Sequence, residues 1–188
     1  MPTASQTKVV TGKARLSYVN LFEPRLDKDG NNPKYQCKLL IPKSDRATMA
    51  KMRAAQKMAI AQGEQGKFNG KKLRGEPGTG QSWDTIHDGD ESDSEEDAGH
   101  WTVNVSSKNR PGVVDRSLNP IMDSTEVYSG CYARVSLNCF PYNFDGKIGV
   151  TFGLNHVQKL ADGDYLGGRT RAEDDFDELD DEDGDSVL

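Results

Sequence analysis

The sequence predicts a mainly β fold with one inserted α-helix, extended loops and a disordered acidic C-terminal tail. Three observations carry this. Apolar and polar residues alternate with period two in five substantial stretches, as side chains do on the two faces of a strand. One stretch rich in Ala, Met, Lys, Arg and Gln, set off by Pro42 and Gly63, reads as a helix. The acidic residues gather in two runs instead of being spread along the chain.

Residues 1–7 carry no pattern and are expected to be a loose end. Lys8 to Phe22 reads as one long strand with Val10, Ala14, Leu16 and Tyr18 on one face and Thr11, Lys13, Arg15 and Ser17 on the other. Pro24 and the cluster Asp27 to Pro33 mark a turn. The next strand, Lys34 to Ile41, groups Tyr35, Cys37, Leu39 and Ile41, with Gln36 and Lys38 opposite, and pairs with the first as a hairpin. Ser44 is the expected N-cap of a helix from Asp45 to Gln62, whose stripe Met49, Met52, Ala59 and Ile60 faces the sheet. Gly63 is its expected stop.

Residues 63–82 hold six glycines and the bases Lys67, Lys71, Lys72 and Arg74, a loop that packs poorly but could wrap a backbone. An acidic loop follows between Trp83 and Trp101 and reads as a solvated charge run. Strand character returns at Trp101, Val103 and Val105, with Thr102, Asn104 and Ser106 opposite. A basic turn (Lys108 to Gly112) and a short apolar piece, Val113-Val114, precede the most regular stretch of the chain. There Ala133, Val135, Leu137 and Cys139 alternate with Tyr132, Arg134, Ser136, Asn138, Phe140 and Tyr142. After the turn at Asn143 to Gly146, Ile148, Val150, Phe152 and Leu154 form the apolar face of a second strand. No strand–helix alternation exists, so a parallel sheet is disfavoured. A five-stranded Greek-key barrel of the oligonucleotide-binding kind (OB-fold) fits best.

At 188 residues the chain suits one domain, expected over 1–171, followed by the tail over 172–188. No apolar run approaches the roughly 20 residues of a membrane span, and the N-terminus does not read as a signal peptide. The three cysteines lack CxxC spacing, which argues against a disulfide scaffold or zinc site; buried free thiols at Cys37 and Cys139 fit a reducing cytoplasm. The formal charge of −6 conceals an asymmetry: ten acids lie in the tail and eight between Asp84 and Asp97, leaving 24 bases against 12 acids elsewhere.

Catalytic and metal motifs are absent from the sequence. Asp88, Asp90 and Asp93 superficially suggest a calcium loop, but its sixth and twelfth positions would be Asp93 and Gly99 instead of Gly and Glu. His87, His100 and His156 lack ligand or triad spacing, and GxxxxGK[ST] does not occur. No enzyme, cofactor or metal is expected. What remains is bases interleaved with aromatics, the composition of a single-strand-binding surface in which cations hold phosphates and rings stack on bases. Phe140, Tyr142 and Phe144 recur at spacing two, with Tyr132 and Arg134 on the same face. Lys13, Arg15, Lys38, Lys71, Lys72 and Lys108 complete the candidate set. A capping role at an open barrel end is the competing reading of Phe140, and solvated surface charge that of the bases. In the tail, Asp180, Asp181, Glu182, Asp183, Asp185 and the terminal Leu188 are the candidates for binding a basic patch on a partner, or the chain's own groove.

PKYQCKLLIPKSD (33–45), GKK (70–72), WDTIHDGD, GVVD (112–115), YARVSLNCFPYNF and IGVTFGLNHVQKL, with an acidic tail ending in an apolar residue, together resemble the T7-like bacteriophage single-stranded DNA-binding proteins. The resemblance implies an oligonucleotide-binding barrel with an added helix, DNA bound without sequence preference, and a tail contacting replication proteins such as polymerase, helicase or primase. It places stacking aromatics at Tyr142 and Phe144, the second being Trp in the family, and a basic position at Arg134. The run Ser92 to Asp97 has no counterpart and the tail is shorter, so the homodimer that the family forms through its tails is left open here. The expected function is a coat for single strands in replication or recombination. An acidic interaction or virion-assembly adaptor is the alternative, and RNA in place of DNA is not distinguished by stacking and phosphate contacts.

Overall fold

Strand pairing in the computed structural model, which describes residues 6–167 with Asp175 and Phe176, returns to the strand it starts from. Among the described residues there are eight strands: β1 Lys8–Val10, β2 Ala14–Arg25, β3 Lys34–Pro42, β4 Ile86–Asp88, β5 His100–Ser107, β6 Gly112–Val114, β7 Tyr132–Phe144 and β8 Lys147–Ala161. The helix α1 spans Arg46–Gln62. β7 pairs with β2, β2 with β3, β3 with β5, β5 with β8, and β8 again with β7. These five are the five substantial strands of the sequence pattern; β1, β4 and β6 are short additions to their edges. The ring is antiparallel except at the parallel contact of Ser106 with Gly153. A mainly β body with one inserted helix is what the alternation predicts.

The core follows strand parity. Leu16, Leu39, Val103, Val135, Leu137 and Val150 are buried among Cys37 and Cys139. Burial pushes both thiols up to about 12, which keeps them protonated and unreactive. The β7–β8 hairpin closes through Asp145-Gly146, both at positive φ (50° and 88°), as a two-residue turn whose twist matches that of its strands requires.

The first strand departs from expectation. It breaks at Thr11–Lys13, so Val9 and not Val10 enters the core, and β1 and β2 pair separately with the same edge of β7. The break docks the helix start: the Gly12 N–H donates to Thr48 Oγ1 at 2.8 Å, and a Cβ at Gly12 would come within 2.5 Å of the Asp45 carboxylate. Asp45, and not Ser44, caps α1 by accepting from the Thr48 N–H. A second irregularity between Ser17 and Asn20 sends Tyr18 outward at φ 49°, so it leaves the face expected to hold it with Leu16. Thr48, Met52, Ala55, Gln56 and Ala59 form the buried stripe, with Met49 and Ile60 partly buried at its edge. Gly63 does not stop the helix. It stays helical in a further wide turn over Gly63–Lys67, and the fully buried Phe68 ring lies against its bare Cα.

The glycine-rich and acidic loops are folded, contrary to expectation. Asp84 is 6 % exposed and is held by Arg53 (2.7 Å), by the Gln56 side-chain amide (2.9 Å) and by the N–H groups of Gly78 and Ile86. One carboxylate thereby joins α1, the glycine-rich loop and β4. Lys43 lies between Asp88 and Asp90, which raise its pKa while it lowers theirs. Asp97 receives Lys38 at 2.6 Å and the Ser92 hydroxyl at 2.7 Å. Four of the eight acids in the run therefore have lysine or arginine partners from the body, so a solvated charge run is the wrong description. The tail candidates Asp180 to Leu188 lie outside the described residues.

Burial raises the pKa of Asp84, but the four hydrogen-bonding and charged partners outweigh it and leave the group below 3.8. The folded state thus takes up its proton at lower pH than the unfolded chain. The stability that Asp84 contributes is complete above about pH 4 and is lost as pH falls through the folded pKa. Asp84→Ala is expected to cost about 2–3 kcal/mol, because the buried amide of Gln56 loses its acceptor, and to flatten the acid limb of stability in urea melts across pH 2–6. An unchanged acid limb would refute the role assigned to Asp84.

Candidate nucleic-acid interface

The outward faces of β3 and β5 build a surface that no single stretch of sequence contains. Lys34, Gln36 and Lys38 point away from the core on β3, and Asn104 and Ser106 face out beside them, paired as Gln36 with Ser106 and Lys38 with Asn104. Two depressions meet on this face. The smaller, about 350 Å³, is bordered by Tyr18, Arg25, Lys34, Gln36, Asn104 and Ser106. The larger, about 810 Å³, shares Arg25, Lys34 and Gln36 and continues past the 26–33 loop to Lys108 and Phe144. The result is a groove with an exposed ring at each end: Tyr18 is 58 % and Phe144 73 % exposed. Bases and amides line its floor. Asp27 shapes the flanking loop, accepting from the N–H groups of Asn31 and Asp29 and from the Asn32 amide, bonds that hold its pKa below the usual value.

At the Phe144 end, the hairpin arranges its aromatics by what β8 lacks. Tyr142 stands opposite Gly149 and its ring occupies the space a Cβ would need; Phe140 leans over Gly153 in the same way. Tyr142 and Phe144 then lie 5.5 Å apart, centroid to centroid. The 67–72 loop buttresses this tip: Asn143 donates to the Lys67 carbonyl at 3.1 Å, and Lys71 reaches the Gly146 carbonyl at 3.4 Å. Lys72, the next residue, is exposed.

The other end of the β3–β5 face is covered. Leu40 and Thr102 lie there and are buried, and the Lys38–Asp97 pair fastens the acidic loop over them. Lys38 also stands 5.8 Å from the Tyr18 ring. Glu91, Asp93, Glu95 and Glu96 remain exposed on that loop.

The candidate set is thus divided. Phe140, Tyr142, Phe144, Lys71, Lys72 and Lys108 gather at the hairpin tip, and Lys38 lies beside Asn104 at the covered end of the groove, already paired with Asp97. Lys13, Arg15, Tyr132 and Arg134 belong elsewhere: β7 has 13 residues, so its ends are about 40 Å apart at the usual rise. Lys13 sits over Tyr132 at 4.6 Å, and Arg15 is spent on the carbonyls of Gly130 and Asp164 at 3.1 and 2.7 Å. Sequence reasoning missed Tyr18, Arg25, Lys34, Gln36, Asn104 and Ser106 as groove residues. The polar faces of β3 and β5 were visible; that they lie side by side was not.

Comparisons with known proteins agree with this architecture. A family model described as Enterobacter phage Enc34 ssDNA-binding protein matches residues 7–187. A curated relative, putative protein p50 of Acyrthosiphon pisum secondary endosymbiont phage 1, is 30 % identical over 174 residues, 92 % of this chain and 94 % of that one. Among solved structures, the single-stranded DNA-binding protein of bacteriophage Enc34 in complex with ssDNA is similar in fold, with TM-score 0.72 and 23 % identity over 86 % of this chain and 90 % of that one. The single-stranded DNA-binding protein gp2.5 of bacteriophage T7 matches with TM-score 0.57 and 16 % identity over 91 % and 95 %. By its match along nearly the whole sequence, this chain belongs to the Enc34-type family of phage single-stranded DNA-binding proteins.

Proposed function

We propose that the chain binds single-stranded DNA without sequence preference and coats exposed strands in the host cytoplasm during phage replication or recombination. The observation that carries this is the groove on β3 and β5, which offers cations and amides along its floor and an exposed ring at either end. Lys34, Arg25 and Lys108 suit phosphates, while Phe144, Tyr142 and Phe140 suit base faces, which every base presents. Membership of the family supports the reading.

The ring of β2, β3, β5, β7 and β8 supports its description as a five-stranded oligonucleotide-binding barrel. In that architecture the second and third strands, here β3 and β5, take the ligand between two flanking loops. The 26–33 loop and the Asp145-Gly146 hairpin occupy those loop positions. Residues 1–171 would form the binding domain. The tail at 172–188 would recruit replication proteins and is the segment through which a homodimer would form. The reading assigns no catalytic group. Lys13, Arg15 and Arg134, remote from the groove, contribute field and not contacts, and Tyr132 has no part in it.

Replacing Tyr142 and Phe144 together by Ala removes two stacking platforms of about 1–3 kcal/mol each. Binding of a fluorescent oligothymidylate is expected to weaken roughly a hundredfold or more, while a cooperative urea transition shows that the fold is retained. Equal affinity with an intact fold would sink the site and favour the acidic adaptor. Lys34→Ala and Lys108→Ala should each lower the slope of log K against log salt by about 0.7, one phosphate's share for a single strand. Arg134→Ala should leave that slope unchanged; a drop as large as that of Lys34→Ala would move the interface to the Tyr132 end.

A further inference from the structure

Beyond the hairpin tip, the outer face of β7 and β8 holds a second depression of about 480 Å³ that the groove does not use. A register shift between Ser136 and Leu137 forms it: Ser136 faces His156 and Leu137 faces Leu154, so an extra β8 residue bends the strand there. Asn138, Asn155 and His156 line the hollow, with Lys8 of β1 on one flank and Asn109 and Arg110 on the other. No acidic residue borders it. His156 Nδ1 accepts from the Gly112 N–H at 2.9 Å, which leaves Nε2 of this exposed side chain as the ring nitrogen turned to a ligand. Lys8 and Arg110 are exposed as well.

This hollow is continuous with the aromatics. Phe140, the next outward residue on β7 after Asn138, leans over Gly153, which pairs with Asn138. Ser107 to Arg110 link the two regions: Lys108 borders the groove, and Asn109 and Arg110 border the hollow. At the opposite end of the groove the Asp97-pinned acidic loop bars the way with exposed carboxylates. A strand leaving the groove past Phe144 meets Lys108 and then Asn109 and Arg110.

We propose that this hollow is a second single-stranded DNA subsite, which takes the continuation of the strand bound in the groove. Lys8 and Arg110 hold phosphates at its rims, and Asn138, Asn155 and His156 hydrogen-bond to base edges or sugar oxygens between them. The strand is thereby wrapped around the hairpin, and one protein covers more nucleotides than the groove alone accommodates. This inference rests on the groove reading, and its test separates the two.

The test uses the full chain with the triple variant Lys8→Gln, Asn155→Ala, Arg110→Gln, and oligothymidylates of about 6 and 20 nucleotides, which bracket the 4–16 nucleotides usual for one such barrel. For the variant, affinity for the short oligomer should stay within twofold while that for the long one falls at least tenfold. The nucleotides covered per protein at saturation should also fall by two or more. Unchanged long-oligomer affinity and coverage, or equal losses for both lengths, would overturn the subsite and leave the groove standing. If the unaltered protein fails to bind the short oligomer but binds the long one, the groove reading falls and this proposal falls with it. A urea midpoint equal to that of the unaltered chain shows that these changes act on binding.

Discussion

The pairing of β7 with β8 over thirteen residue pairs is the constraint on which the rest depends. Strand parity makes it serve two purposes at once. Inward residues such as Val135, Leu137, Val150 and Phe152 form much of the core, and the alternate residues place Phe140, Tyr142 and Phe144 outside. Gly149 and Gly153 leave room for two of those rings against the partner strand. A glycine inside a strand ordinarily weakens it, since it brings no side chain to pack and loses more backbone entropy. Here the ring across the ladder supplies the missing contact, so the fold and the proposed binding surface draw on the same residues.

Electrostatics divides the molecule by use and not by sign alone. The acids between Asp84 and Asp97 look like an appendage when charges are counted. In the fold, Arg53, Lys43 and Lys38 each engage at least one of them. Asp84 and Asp97 are nearly solvent-free, and removing Asp84 would strand the buried Gln56 amide, the costly half of any buried hydrogen bond. The carboxylates that remain exposed, Glu91, Asp93, Glu95 and Glu96, belong to the loop at the groove's covered end. A basic groove next to a pinned acidic loop would direct a polyanion along one path, since like charge opposes the other.

Much of this was legible in the chain itself. The hairpin announced itself by clean alternation and by Asp145-Gly146, because a two-residue turn admits few residue pairs. The inserted helix, the outward aromatics and the buried cysteines followed from equally local signals. What the chain concealed was non-local. The Lys8–Phe22 alternation gave no sign of its break at Gly12, because the reason for it, the capped start of α1 at Asp45 and Thr48, lies over thirty residues away. Tyr18 turned outward through a backbone irregularity that side-chain alternation does not encode. Lys38 had the right residue type and the right face, yet its charge is met by Asp97, 59 positions later. The groove itself came from β3 and β5 lying side by side, although some sixty residues of chain separate them.

Backbone amide hydrogen exchange with and without a short oligothymidylate tests the central claim most directly, since it reports every segment at once. Neither tryptophan serves as well: Trp83 is buried and Trp101 packs beneath Lys43, both away from the groove. The account predicts slowed exchange in the 26–38 segment, in 104–108 and at the tip of the hairpin around Tyr142 to Lys147, with the acidic loop and the Tyr132 end unchanged. Protection confined to the Tyr132 end, or to the acidic loop, would contradict it.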